Sequence, residues 1–69
     1  MTKYKVGDIV KLYVCNIGQI IKKKNTAHDY FDIKLIHNTL NWINVYEIKR
    51  LTNKTERKNY LAKRIVEVI

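Results

Sequence analysis

The chain has 69 residues, of which 14 are Lys or Arg and 6 are Asp or Glu, giving a formal charge of +8 at pH 7. A domain of this size removes only about 60% of its unfolded surface from water, so little material is left to wall off a substrate cleft, and an enzyme is not the expected class. The charge points instead to surface recognition of a polyanion, either nucleic acid or an acidic protein surface.

The single cysteine, Cys15, has no intramolecular partner, whereas small secreted domains are usually stapled by disulfides. The segment MTKYKVGD lacks the apolar core of a signal peptide, and no uncharged run approaches the length of about 18–20 residues that spans a membrane. The expectation is a cytoplasmic protein with no membrane contact.

Gly7-Asp8 is turn chemistry, because glycine accepts positive φ and Asp can bond to its own downstream backbone. From Ile9 to Cys15 the residues alternate, with Val10, Leu12 and Val14 on one side and Ile9, Lys11, Tyr13 and Cys15 on the other, which is the period of a strand. Asn16 to Gly18 supplies a reversal into a second, antiparallel strand over Gln19 to Lys24. Lys22, Lys23 and Lys24 cannot all project outward from a regular strand, so that strand is expected to end near Lys23, with Lys24 and Lys22 in solvent. After the polar stretch Asn25 to Asp29, a third strand over Tyr30 to His37 turns Phe31, Ile33 and Leu35 to the core and Tyr30, Asp32 and Lys34 away from it.

His37-Asn38-Thr39 reads as a tight turn into a fourth strand, Leu40 to Ile43, with Leu40 and Trp42 on one side. Asn44 to Glu47 reads as a short helical turn, and Ile48 to Leu51 as a brief fifth strand. A helix is expected from Asn53, whose side chain as N-cap would face a carboxylate at Glu56 in a capping box. At 3.6 residues per turn, Leu61, Ile65 and Val68 form the stripe expected to dock, with Glu56, Lys63 and Glu67 opposite and a first turn kept wet and basic by Lys54, Arg57 and Lys58. Val66 and Ile69 fall off that stripe; such spill-over is buried in a second copy, giving a homodimer through the helix, or frays as a terminus.

The fold expected is mostly β: a small antiparallel barrel of about five strands over residues 1–52, with a C-terminal α-helix over 53–69, in a single domain. The segments VGDIVKL, IIK, YFDIKLI and WINVYEIKRL together resemble the SH3-like barrels across roughly residues 4–51. Val6, Gly7, Asp8, Val10 and Leu12, followed by Gly18 and Ile20, resemble the KOW-type motif of ribosomal proteins and transcription elongation factors. Glu47-Ile48-Lys49-Arg50-Leu51 is similar to the closing segment of small SH3-like proteins carried by Gram-positive prophages. Asn16-Ile17 stands where a KOW motif carries a flexible basic loop, so the resemblance does not place nucleic-acid contact there. The helix belongs to neither pattern.

No catalytic residue, metal site or cofactor is expected. His28 and His37 lie at opposite ends of the third strand, Asp29 and Asp32 differ in parity, and no glycine-rich phosphate loop is present. What remains is cations interleaved with aromatics. In the nucleic-acid reading Lys11, Lys22, Lys23, Lys24, Lys34, Arg50, Lys54, Arg57 and Lys58 grip phosphate, while Tyr13, Tyr30 or Trp42 contact bases or sugars. In the alternative, Trp42 and Tyr46 line a groove of a protein-interaction adaptor, such as a phage-encoded modulator of a host protein. Trp42 on the core side with only its N–H wet is the plainer expectation for that residue.

Overall fold

A computed structural model describes residues 4–14 and 16–68. In it β1 (Ile9–Leu12), β2 (Ile17–Asn25), β3 (Asp29–Lys34), β4 (Thr39–Asn44) and β5 (Ile48–Leu51) form one antiparallel sheet, followed by α1 (Lys54–Val68). The strand order β4-β3-β2-β1-β5 is a four-strand meander whose fifth strand returns beside the first. A 3₁₀ turn over Val45–Glu47 carries the chain between the two edge strands; Asn44 caps it, and Glu47 bonds back to the Asn44 N–H.

Alternation sets the core. Val10, Leu12, Ile20, Phe31, Ile33 and Ile48 are buried in one cluster with Tyr4, and Leu35, Leu40, Ile43 and Val45 pack against it half-buried. Full burial of aliphatic or Phe side chains of this size stabilises by about 1.5–3 kcal/mol each. Tyr4 sits edge-on to Phe31, ring centroids 6.4 Å apart, so the residues before β1 close one end of the core.

Several boundaries differ from those expected. β1 ends at Leu12 because the Leu12 N–H already bonds to the Asn16 carbonyl at 2.8 Å, which turns the chain; Val14 is consequently exposed rather than in the core. β3 ends at Lys34 because Leu35 N–H bonds to Asn38 O, closing a tight turn. β2 continues through all three lysines to Asn25, since its pairing with β3 persists from Gln19↔Lys34 to Asn25↔Asp29. A bulge at Ile21 makes this compatible with a pleated strand: Ile20 pairs with Ile33 and Lys22 with Asp32, leaving Ile21 extra. Lys22 and Lys24 then share the outer side with Asp32 and Tyr30, while Lys23 lies opposite the buried Phe31.

The helix begins as its capping box requires: Asn53 Oδ1 accepts from Glu56 N–H at 2.8 Å, and Glu56 Oε1 accepts from Asn53 N–H at 3.0 Å. Its docking face is not the stripe expected. Glu56, Tyr60 and Arg64, spaced i, i+4 and i+8, meet the sheet, whereas Leu61 is 41% and Ile65 63% exposed. Glu56 forms a two-pronged pair with Arg50 at 2.7 and 3.0 Å, and Lys11 lies 3.9 Å from it. The Tyr60 hydroxyl donates to the Lys34 carbonyl, and Arg64 donates to Gln19 Oε1 at 2.7 Å. Directed polar contacts from three successive turns, together with burial of the Tyr60 ring, set the docking face in place of the Leu61–Ile65 stripe. Lys54, Arg57 and Lys58 are exposed, as the basic first turn implied. Cys15 and Ile69 lie outside the described residues, as do the side chains of Val66 and Val68, so the strand end, stripe member and spill-over surface assigned to them fall there too.

Gly18 is buried, and a Cβ there would meet Ile33 Cγ2 at 2.5 Å and the Lys34 backbone oxygen at 2.9 Å. Backbone cannot yield as a side chain does, so Gly18→Ala is expected to destabilise by about 1–3 kcal/mol, read as a lower urea midpoint with unchanged slope. Glu56 gives a pH dependence. Arg50, then the Asn53 N–H and, more weakly, Lys11 lower its pKa from 4.5 to about 2 against the opposing effect of burial. A depressed folded-state pKa contributes stability that is present above the unfolded value and is lost as pH falls through the folded one. The urea midpoint should therefore decline between pH 4.5 and about 2. Glu56→Gln should flatten that decline and lower the midpoint at neutral pH.

Candidate nucleic-acid interface

The outer side of β2, β3 and β4 carries the densest grouping of cations and aromatics. The registers Lys22↔Asp32 and Lys24↔Tyr30 put two lysines beside an acid and a phenol. On the other flank of β3, Phe31 pairs with Ile43 and Ile33 with Leu40, so two residues, Asn41 and Trp42, stand opposite Asp32 alone. This second bulge reverses the expected orientation of Trp42. Leu40 packs against the core, while Trp42 is 55% exposed and adopts φ 59°, in the left-handed region that disfavours any side chain. Half-exposure of so large a ring, on a backbone under strain, is characteristic of a recognition position.

Asp32 holds the arrangement together. Its Oδ1 accepts from the Trp42 backbone N–H at 3.3 Å and lies 3.0 Å from Lys24 Nζ. Lys24 Nζ in turn sits 3.8 Å from the centroid of the Trp42 ring, a cation–π distance. The Tyr30 ring meets Trp42 edge-on at 5.5 Å. The Lys24 ammonium keeps the Asp32 carboxyl below the usual carboxylate range; the Trp42 N–H and Lys22 act in the same direction, against burial. Asp32 is 9% exposed, so this carboxylate is fixed rather than swinging in solvent. The alternation of β3 turns Asp32 away from the core with Tyr30 and Lys34; it keeps that side but is buried, because Lys24 and the Trp42 bulge close over it.

The remaining site residues distribute as follows. Lys22 is exposed on the same side as the Trp42 cluster, and Lys34 lies one outward step further along β3. Lys11 and Arg50 are register partners on β1 and β5, both drawn to Glu56, with Lys54, Arg57 and Lys58 exposed on the helix that follows. Tyr13 is 65% exposed in the turn after β1, where its N–H bonds to the Glu47 carbonyl. Tyr46 is 82% exposed in the 3₁₀ turn; the ring that Trp42 meets is Tyr30. Tyr60, a further buried aromatic that the sequence reading passed over, fixes the helix rather than the site.

A cleft of about 510 Å³ lies between α1 and the β1–β2 and β3–β4 connections, lined by Ile17, Leu35, His37, Asn59, Tyr60 and Lys63 among others, and shares no residue with the Trp42 cluster. Among the described residues no group of three or more His, Cys, Asp or Glu is placed to hold a metal ion, and no helix is long and apolar enough to cross a membrane. Compared with models of protein families, with curated proteins and with solved structures, the chain gives no match.

The strain at Trp42 can be measured. Glycine accepts positive φ freely, whereas alanine keeps the penalty of about 1–2 kcal/mol. Trp42→Gly is expected to be more stable than Trp42→Ala by about 1 kcal/mol in urea denaturation, the reverse of the usual order for a strand residue.

Proposed function

We propose that this chain is a non-enzymatic nucleic-acid-binding module whose contact surface centres on the outer side of β2–β4. The observation that carries the reading is the grouping of Lys22, Lys24, Tyr30 and Trp42 on one side of the β2–β4 sheet, in a chain of net charge +8. Exposed Lys22 is available to neutralise phosphate, whereas Lys24, 17% exposed and paired with Asp32, sets the position of Trp42; exposed aromatic surface accepts unpaired bases, a combination suited to single strands. Lys34 extends the cationic track along β3, and Lys54, Arg57 and Lys58 offer a second phosphate contact on the helix. Kinship with KOW-type barrels or with phage-borne SH3-like proteins belongs to the same proposal, supported by the strand order and the segments quoted above.

One observation favours a second reading, that of a protein-interaction adaptor. Leu61 and Ile65 face away from the sheet, and Tyr46 stands 82% exposed, so apolar surface is available to a partner protein or to a second copy.

The experiment that separates the two is a fluorescence-anisotropy titration of a labelled oligonucleotide over graded salt. For about five neutralised phosphates, log K should fall against log salt with a slope near −3.5 on single strands and near −4.5 on duplex. Lys22→Gln should make the slope shallower by about 0.7–0.9. Absence of binding at low salt removes the nucleic-acid reading and leaves the adaptor.

A further inference from the structure

We propose that Trp42 is a one-sided stacking platform for a nucleobase, purines before pyrimidines, and that Asp32 is the positioning residue that builds it. This rests on the nucleic-acid reading and names the ligand class of its central contact.

The argument begins with what one carboxylate does. Asp32 Oδ1 accepts from the Trp42 backbone N–H at 3.3 Å and from the Lys24 ammonium at 3.0 Å, so the same oxygen that anchors the strained bulge also aims the cation at the ring. Lys24 then covers one face of the indole at 3.8 Å, and Tyr30 braces the ring edge-on at 5.5 Å. With Lys24 over one face, the residue is still 55% exposed, so ring surface remains open to a ligand. Its orientation is set before any ligand arrives, which lowers the ordering cost of binding.

The cation cap also selects. An aromatic face attracts cations through its quadrupole, but here a lysine already holds one face, and a second cation would be repelled through the ring by the first. A quaternary ammonium or a guanidinium is therefore a poor ligand, and a neutral planar ring is a good one. Purines cover more of an indole than pyrimidines do and gain more from stacking. Lys22, exposed on the same side two residues from Lys24, is placed to receive the phosphate joined to that base.

Trp42 is the single tryptophan, so its fluorescence reports the platform directly. Oligo-dA is expected to quench it and to bind at least about fivefold more tightly than oligo-dT of equal length, while an abasic oligomer binds without quenching. Asp32→Asn adds one positive charge to the chain, which by charge alone would tighten every oligomer. Loss of the positioning role predicts the opposite for oligo-dA, namely weaker quenching and a smaller preference over oligo-dT, with abasic binding undiminished. Trp42→Gly, which suits the backbone at that position, should abolish the preference while leaving abasic binding intact, and it serves as the test if Asp32→Asn does not fold. Equal, unquenched binding of oligo-dA and oligo-dT overturns the platform and leaves the nucleic-acid reading standing. Failure of every oligomer to bind, the abasic one included, overturns both. Quenching of Trp42 by millimolar tetramethylammonium overturns the capped face.

Discussion

Carboxylates are scarce in this chain, 6 against 14 cations, and their placement organises the rest of the structure. Asp8 accepts the Lys5 N–H across the first turn, Glu47 closes the cap of the 3₁₀ turn, Glu56 caps the helix while gripping Arg50, and Asp32 secures the Trp42 bulge while gripping Lys24. In each case the acid satisfies a backbone N–H that no regular ladder or helix bond would reach. Acids committed to the backbone in this way leave the outer surface to lysine and arginine. The positive field outside is thus the complement of the arrangement that stabilises the turns, and a fold built this way presents cations without needing a dedicated basic loop.

The bulges convert that charge into a site. A regular β2 would have turned Lys22 and Lys24 inward, on the side of the buried Ile20, with Lys22 opposite Phe31. The extra residue at Ile21 resets the alternation so that Lys22 and Lys24 stand over Asp32 and Tyr30, and the extra residue opposite Asp32 brings Trp42 out to the same side. Two local irregularities on the two flanks of β3 therefore converge on one carboxylate. Strand β3 itself stays regular because its inward residues Phe31 and Ile33 are fully buried and leave no freedom to slip.

Much of this was legible in the residues. Period-two alternation located the first and third strands and the core trio Val10, Leu12 and Phe31, because a half-buried sheet imposes that period on sequence, and turn residues between them placed the others. The Asn53–Glu56 capping box was equally readable, since both of its bonds are local. What alternation could not reveal was where it would be broken: bulges arise from the register between strands, and register is a non-local property. Hence Trp42 was placed with Leu40 on one side, and the lysine run was thought to end the strand. Tyr4 and Tyr60 were missed for a related reason, as each is buried by an element distant in sequence and neither sits in an alternating run.

The helix shows the same limit from another side. A hydrophobic stripe indicates the buried face only when the surface it meets is apolar. Here the core is enclosed by the sheet, and the outer side presented to the helix offers Lys11, Gln19, Arg50 and the Lys34 carbonyl, all polar. Glu56, Tyr60 and Arg64 match those groups one by one, with the Tyr60 ring buried, and Leu61 and Ile65 are left outside. Attachment of the helix then rests on the buried Tyr60 ring together with hydrogen bonds and ion pairs, of which the ion pairs weaken with salt and acid, while the sheet rests mainly on burial, which salt does not weaken. The two parts of the chain should accordingly respond differently to solvent: the sheet persists under conditions that loosen the helix, while the Trp42 cluster, whose backbone lies on the sheet but whose Asp32–Lys24 pair is ionic, keeps its strand positions and loses its cation cap in acid.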